Sequence, residues 1–114
     1  MRVTFDYLPE FERRAKDLAK KYKSFKSDYS TFLDELEANP FGGEPLGHHT
    51  YKNRMTIVSK GKGKSGGARV ITNTADVILK ERKGKLTLMY IYDKSERSSV
   101  SDAFLLHLRE KLMP

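Results

Sequence analysis

Cysteine and tryptophan are both absent from this chain of 114 residues. Without cysteine there is no disulfide, no thiolate nucleophile and no thiolate metal site. That suits a reducing compartment, and a soluble cytoplasmic protein is expected. No stretch approaches the roughly 20 consecutive apolar residues of a membrane span. The first residues also lack the apolar run of a secretory signal. The sharpest absence is local. Residues 45–75 contain no Asp or Glu, yet they hold Lys52, Arg54, Lys60, Lys62, Lys64 and Arg69. The whole chain has 22 basic and 15 acidic residues, a net charge of +7, so six of the seven excess charges lie in this one window. Such concentration points to a polyanionic partner, most simply nucleic acid.

The length fits one domain, 1–114, large enough to bury a modest core unaided. A short strand is expected near residues 2–5. Leu8, Phe11, Ala15, Leu18, Ala19 and Tyr22 then recur at spacings of three and four, the stripe of an amphipathic helix, with Pro9 in its first turn. Phe25, Tyr29, Phe32, Leu33 and Leu36 form a second stripe, capped by Ser24 or Ser27 and stopped by Asn39 and Pro40. The short link predicts an antiparallel helical hairpin. A Gly/Pro-rich loop is expected over 41–47.

Strand character follows. Tyr51, Asn53, Met55 and Ile57 alternate with Lys52, Arg54, Thr56 and Val58, so a core-facing row leaves Lys52 and Arg54 on the other face. Residues 69–79 are β-rich. Residues 86–92 are apolar on both faces, as a central strand is. Between the first two strands lies the segment 59–69, SKGKGKSGGAR, which reads as a flexible basic loop. Ser101 caps a last helix carrying Phe104, Leu105, Leu108 and Leu112, and Val100 and Leu105 have the spacing of a hydrophobic staple. The expected fold is α+β: an N-terminal helical hairpin packed on one face of a small antiparallel sheet, with a C-terminal helix. The opposite sheet face is expected to stay partly open.

Gly63, Lys64 and Ser65 resemble the end of a phosphate-binding loop. The full pattern requires glycine at position 58, which is Val58, and a helix where β character follows. Nucleotide hydrolysis is therefore not expected. His48 and His49 read as a solvated loop, with acid–base work for one of them as the alternative. No matching set of His or carboxylate ligands accompanies them, so neither metal nor cofactor is expected. RNA needs neither, because its own 2′-OH attacks the adjacent phosphate once a base, an acid and cations are supplied. Crowded lysines lower one another's pKa, which suits a base, and arginine grips phosphate bidentately. Tyr90 and Tyr92 are candidates for stacking on a base.

Taken together, these segments resemble the RelE/HigB branch of the RelE/ParE superfamily of type II toxins. The resemblance rests on the two helices ending in Asn39 and Pro40. It rests also on Pro45, Leu46 and Gly47 before Tyr51, Lys52, Asn53 and Arg54, and on the glycine–lysine loop with its trailing Arg69. The run Ile91, Tyr92, Asp93, Lys94, Ser95 completes it. The resemblance implies a ribosome-dependent, metal-independent mRNA endonuclease that enters the ribosomal A site and is neutralised by a cognate antitoxin. It implies catalytic roles for Lys52, Arg54, Arg69 and Lys94; the charge of the basic window itself puts Lys60, Lys62 and Lys64 on RNA phosphates. Toxins of this branch often carry a tyrosine near the C-terminal helix. Val100 is the nearest position here, and Tyr92 is the expected substitute. Two alternatives remain: a ParE-like toxin acting on DNA gyrase, and an RNA or ribosome binder without catalysis.

Overall fold

The computed structural model describes residues 2–112. Eight regular elements follow in order: β1 (Arg2–Tyr7), α1 (Pro9–Lys21), α2 (Phe25–Ala38), β2 (Glu44–Gly47), β3 (Thr50–Met55), β4 (Ala68–Ile78), β5 (Lys83–Asp93) and α3 (Asp102–Glu110). Residues 1, 113 and 114, the ends of the expected domain, lie outside the described ones. No helix among the described residues is long and apolar enough to cross a membrane.

The local signals explain the helices. Pro9 opens α1, where its missing N–H costs nothing. Asn39 is the C-terminal cap of α2. The Ser101 hydroxyl accepts the Phe104 N–H at 3.1 Å, and Val100 packs in the same apolar cluster as Leu105. Ser24 precedes α2 but does not cap it. Its hydroxyl donates instead to Asp28 Oδ2 at 2.6 Å.

The sheet corrects the expected architecture. It has five strands in the order β1-β5-β4-β3-β2 and is mixed, rather than small and antiparallel. β3, β4 and β5 form the antiparallel meander. β1 joins the far side of β5 in parallel, from Arg2 opposite Lys83 to Tyr7 opposite Leu88. A parallel neighbour requires a long crossover, and α1 and α2 supply it. The two helices are accordingly not a self-contained hairpin: α1 packs mainly against β5 and only slightly against α2. The expected loop 41–47 instead ends in β2, a short strand antiparallel to β3.

The helices also do not share one face. Val3, Phe11, Leu18, Phe25, Phe32 and Leu36 pack with Met55, Ile57, Val70, Leu86, Leu88 and Ile91 in one core. On the other face, Leu105 and Leu108 of α3 cover Leu8, Ile71, Met89 and Tyr92 in a second. The reason is the composition of β5. A strand apolar on both sides needs cover on both, and the register shift opposite Ile71 and Thr72 helps distribute its side chains between the two cores. α3 covers the β4–β5 side. The β2–β3 side of that face remains open.

Candidate nucleic-acid interface

Three strands bring the predicted side chains into one row. Arg54 on β3 stands opposite Arg69 on β4, which stands opposite Tyr92 on β5. Lys52 lies two residues from Arg54 on the same face, and its Nζ is 3.0 Å from Glu44 Oε2. Beside this row opens a cleft of about 730 Å³, lined by Lys52, Arg54, Lys64, Arg69 and Lys94. Glu35 and Glu44 are the two carboxylates in its wall. Five cations against two anions leave the cleft positive, as a phosphate chain requires. The other walls come from the C-terminal part of α2 and from the turn that carries Gly42 and Gly43.

Arg69 is the most constrained of these cations. It is 6% exposed. Nη1 donates to the carbonyls of Lys64 and Ala68, both at 3.2 Å, and Nη2 donates to the Ser65 carbonyl at 3.0 Å. Among the described residues no carboxylate pairs with it. Burial, and then the neighbouring Arg54 charge, push its pKa down, while Tyr92 pulls the other way. Arginine remains charged nonetheless. Two of its five N–H groups have no partner among the described residues, so the guanidinium keeps donors for a ligand.

Tyr92 is 1% exposed. Its ring is enclosed by the second core, which closes it to base stacking. Its hydroxyl is also buried and has no hydrogen-bond partner among the described residues. Burial raises its pKa, against the opposing pull of Lys52, Arg69 and Arg97. Lys52 and Arg69 stand close enough to act on this hydroxyl, but Tyr92 is not among the residues that line the cleft. Tyr90 is half-buried and meets the edge of Phe104, with ring centroids 4.8 Å apart.

The glycine–lysine segment is not the free loop its composition suggests. A 3-10 turn over Val58–Lys60 starts it. Asp28 Oδ2 accepts the Val58 N–H at 3.0 Å, and Ser24 Oγ accepts the Ser59 N–H at 2.9 Å. At its far end the Gly67 carbonyl accepts the Lys94 N–H at 3.0 Å. Gly67 is required there, because a Cβ would lie 2.1 Å from the Met55 carbonyl oxygen.

Lys60 departs furthest from expectation. Its side chain is 5% exposed and its Nζ sits 2.5 Å from Asp93 Oδ1, a carboxylate that is 0% exposed. Asp93 also accepts from the Tyr22 hydroxyl, from Ser95 Oγ at 2.5 Å and from the Ser95 N–H at 2.9 Å. Burial pushes the Asp93 carboxyl up, but the Lys60, Ser95 and Tyr22 hydrogen bonds outweigh it and hold the group well below the usual carboxylate range. Lys60 is thus an anchor of the loop and does not line the cleft. Lys62 is exposed, and Lys64 reaches the cleft while bridging to Glu35 at 2.9 Å.

Sequence reasoning missed the anchors Asp28 and Asp93. The signal for Asp93 was its place between two apolar residues and a lysine at the end of the most buried strand. His48 and His49 occupy the two-residue turn between β2 and β3, both with positive φ. Asn73 Nδ2 and the Thr74 N–H hold their carbonyls at 3.3 and 2.9 Å. Neither histidine lines the cleft. Among the described residues no three His, Asp or Glu side chains converge on a metal position. No known protein-family model matches the chain.

Proposed function

We propose that this protein is a ribosome-dependent mRNA endonuclease of the RelE/HigB kind, kept in check by a cognate antitoxin. The observation that carries the reading is the convergence of Lys52, Arg54, Lys64, Arg69 and Lys94 on one cleft beside the buried Tyr92 hydroxyl. In this reading the 2′-OH of the bound RNA attacks the neighbouring phosphorus. A cleft lysine in its neutral amine form takes the 2′ proton, and the departing 5′ oxygen takes a proton from a second, protonated lysine. The products are a 2′,3′-cyclic phosphate and a 5′-hydroxyl. Arg54 and Arg69 stabilise the extra negative charge of the five-coordinate phosphorus, the step where fixed donors act most strongly.

A second reading, binding of RNA or ribosomes without cleavage, draws on Arg69 itself, which already gives three N–H groups to loop carbonyls. Primer extension on transcripts after induction separates the readings. Cuts positioned by reading frame support the nuclease. Ribosome association without cuts supports the binder. DNA breaks without RNA cuts overturn both in favour of gyrase poisoning.

A further inference from the structure

The two edges of the sheet are built on different plans. β2 is four residues long, contains Pro45 and changes register between Pro45 and Gly47. A short strand, a proline and an irregular register are the devices that blunt an edge against further pairing. β1, at the other edge, has none of them. It runs six residues without proline, glycine or lysine and keeps an unbroken register with β5.

Its outward hydrogen-bonding groups can be assigned. The Arg2 N–H donates to the Arg82 carbonyl at 2.8 Å, and the Leu8 N–H to the Leu88 carbonyl at 3.0 Å. Even-numbered residues therefore turn their main chain toward β5. The N–H and C=O groups of Val3 and Phe5 point away from the sheet. The Tyr7 N–H is taken by Asp6 Oδ1 at 2.9 Å. On the helix-covered face, Val3 and Phe5 belong to the first core, and Tyr7 stands beyond them at 51% exposure. On the other face, Arg2, Thr4 and Asp6 are exposed, and Asp6 Oδ2 lies 3.7 Å from Lys85 Nζ of its own chain, a solvent-exposed pair that leaves the carboxylate open to a second cation.

We propose that two copies of this chain join through β1, antiparallel and centred on Thr4, so that their sheets become one. The register follows from the residues. An outward-pointing group must meet an outward-pointing group, so odd residues pair with odd. Centring on Thr4 sets Val3 opposite Phe5 of the second copy and Phe5 opposite Val3, with four main-chain hydrogen bonds about a two-fold axis. The same register sets Arg2 opposite Asp6 of the second copy, and Asp6 opposite Arg2. Centring on Val3 or on Phe5 also pairs odd with odd. Either choice sets Arg2 opposite Thr4 or Leu8 and loses both charge pairs. The strand is thus self-complementary in backbone, apolar row and charge at one register. This proposal is independent of the activity proposed above.

Sedimentation of the full chain over a concentration series tests it. The wild type is expected to form a concentration-dependent dimer. Arg2→Glu and Asp6→Lys should each weaken it about tenfold by facing like charges twice across the axis. The double variant Arg2→Glu/Asp6→Lys should restore it, and mixing the two single variants should yield a heterodimer. Unchanged thermal unfolding of each variant shows that the fold is intact. A chain that stays monomeric up to about 1 mM, or a dimer that Arg2→Glu leaves as tight as before, overturns the proposal. So does a double variant no tighter than the singles.

Discussion

Two cation sites draw on the same glycine–lysine segment and end differently. At one, Lys60 is buried against Asp93, Tyr22 and Ser95, and its charge is matched. At the other, Arg69 is buried against carbonyls alone, beside Arg54, and its charge is unmatched by any carboxylate among the described residues. The first arrangement is architecture, because a paired internal charge has little left to offer a ligand. The second keeps an unmatched charge and unused donors, which the proposed function assigns to a phosphate. Spacing along the chain does not distinguish these lysines and arginines. Their carboxylate partners do.

The largest expected effect breaks the first site. Lys60→Met leaves buried Asp93 with only the half-exposed Lys21, 3.7 Å away, as a cation, which should cost up to about 3–5 kcal/mol. Urea denaturation measures it. Lys60→Met/Asp93→Asn should recover part of the loss, since both charges are then gone. A loss below about 1 kcal/mol in the single variant would place the pair in water and erase the contrast with Arg69.

Next comes the second site. Arg69→Ala should lower cleavage on programmed ribosomes by a factor that corresponds to about 2–4 kcal/mol. Arg69→Lys should remain impaired, because it keeps the charge and loses the planar fork. Full cleavage by the alanine variant would remove Arg69 from the chemistry. The contrast predicts that Lys60→Met acts on stability first and Arg69→Lys on activity first.

Acid should sharpen the comparison further. The Asp93 carboxyl is held below its ordinary range in the folded state. Its contribution is therefore complete above the unfolded value of about 4 and is lost as pH falls below that toward the folded value. In that window one proton changes stability by about 1.4 kcal/mol per pH unit. Asp93→Asn should remove this slope, as unfolding curves from neutral pH downward will read. An identical pH profile in the variant would count against the buried pair.

The smallest effects belong to the outer lysines. Lys62→Ala and Lys64→Ala should each shift stability by no more than about 0.5 kcal/mol. Together they should reduce the salt dependence of RNA binding, with the log–log slope falling by roughly 1 to 1.5. An unchanged slope would mean that neither lysine meets phosphate.

Much of this was legible in the residues. The α1 and α2 stripes, the Ser101 cap and the alternation of β3 are local patterns read through local hydrogen bonds and side-chain period. So was the grouping of Lys52, Arg54 and Arg69, since β3 and β4 are joined by one loop and share a face. What local pattern left open was where distant segments meet. Nothing near Arg2 announces a parallel neighbour some 80 residues later. Nothing in the leucines of α3 says which face they cover. Glycine and lysine in alternation promise a loose, solvated loop, and only the arrival of Asp93 from β5 draws Lys60 inside. The sequence by itself determined the elements and the concentration of positive charge, because both depend on neighbours along the chain. Tertiary structure alone decided the mixed sheet, the two-sided core and the division of the basic residues into buried anchors and groups that line the cleft. Those depend on which buried groups find partners across the fold, and an internal charge is tolerable only where the fold provides one.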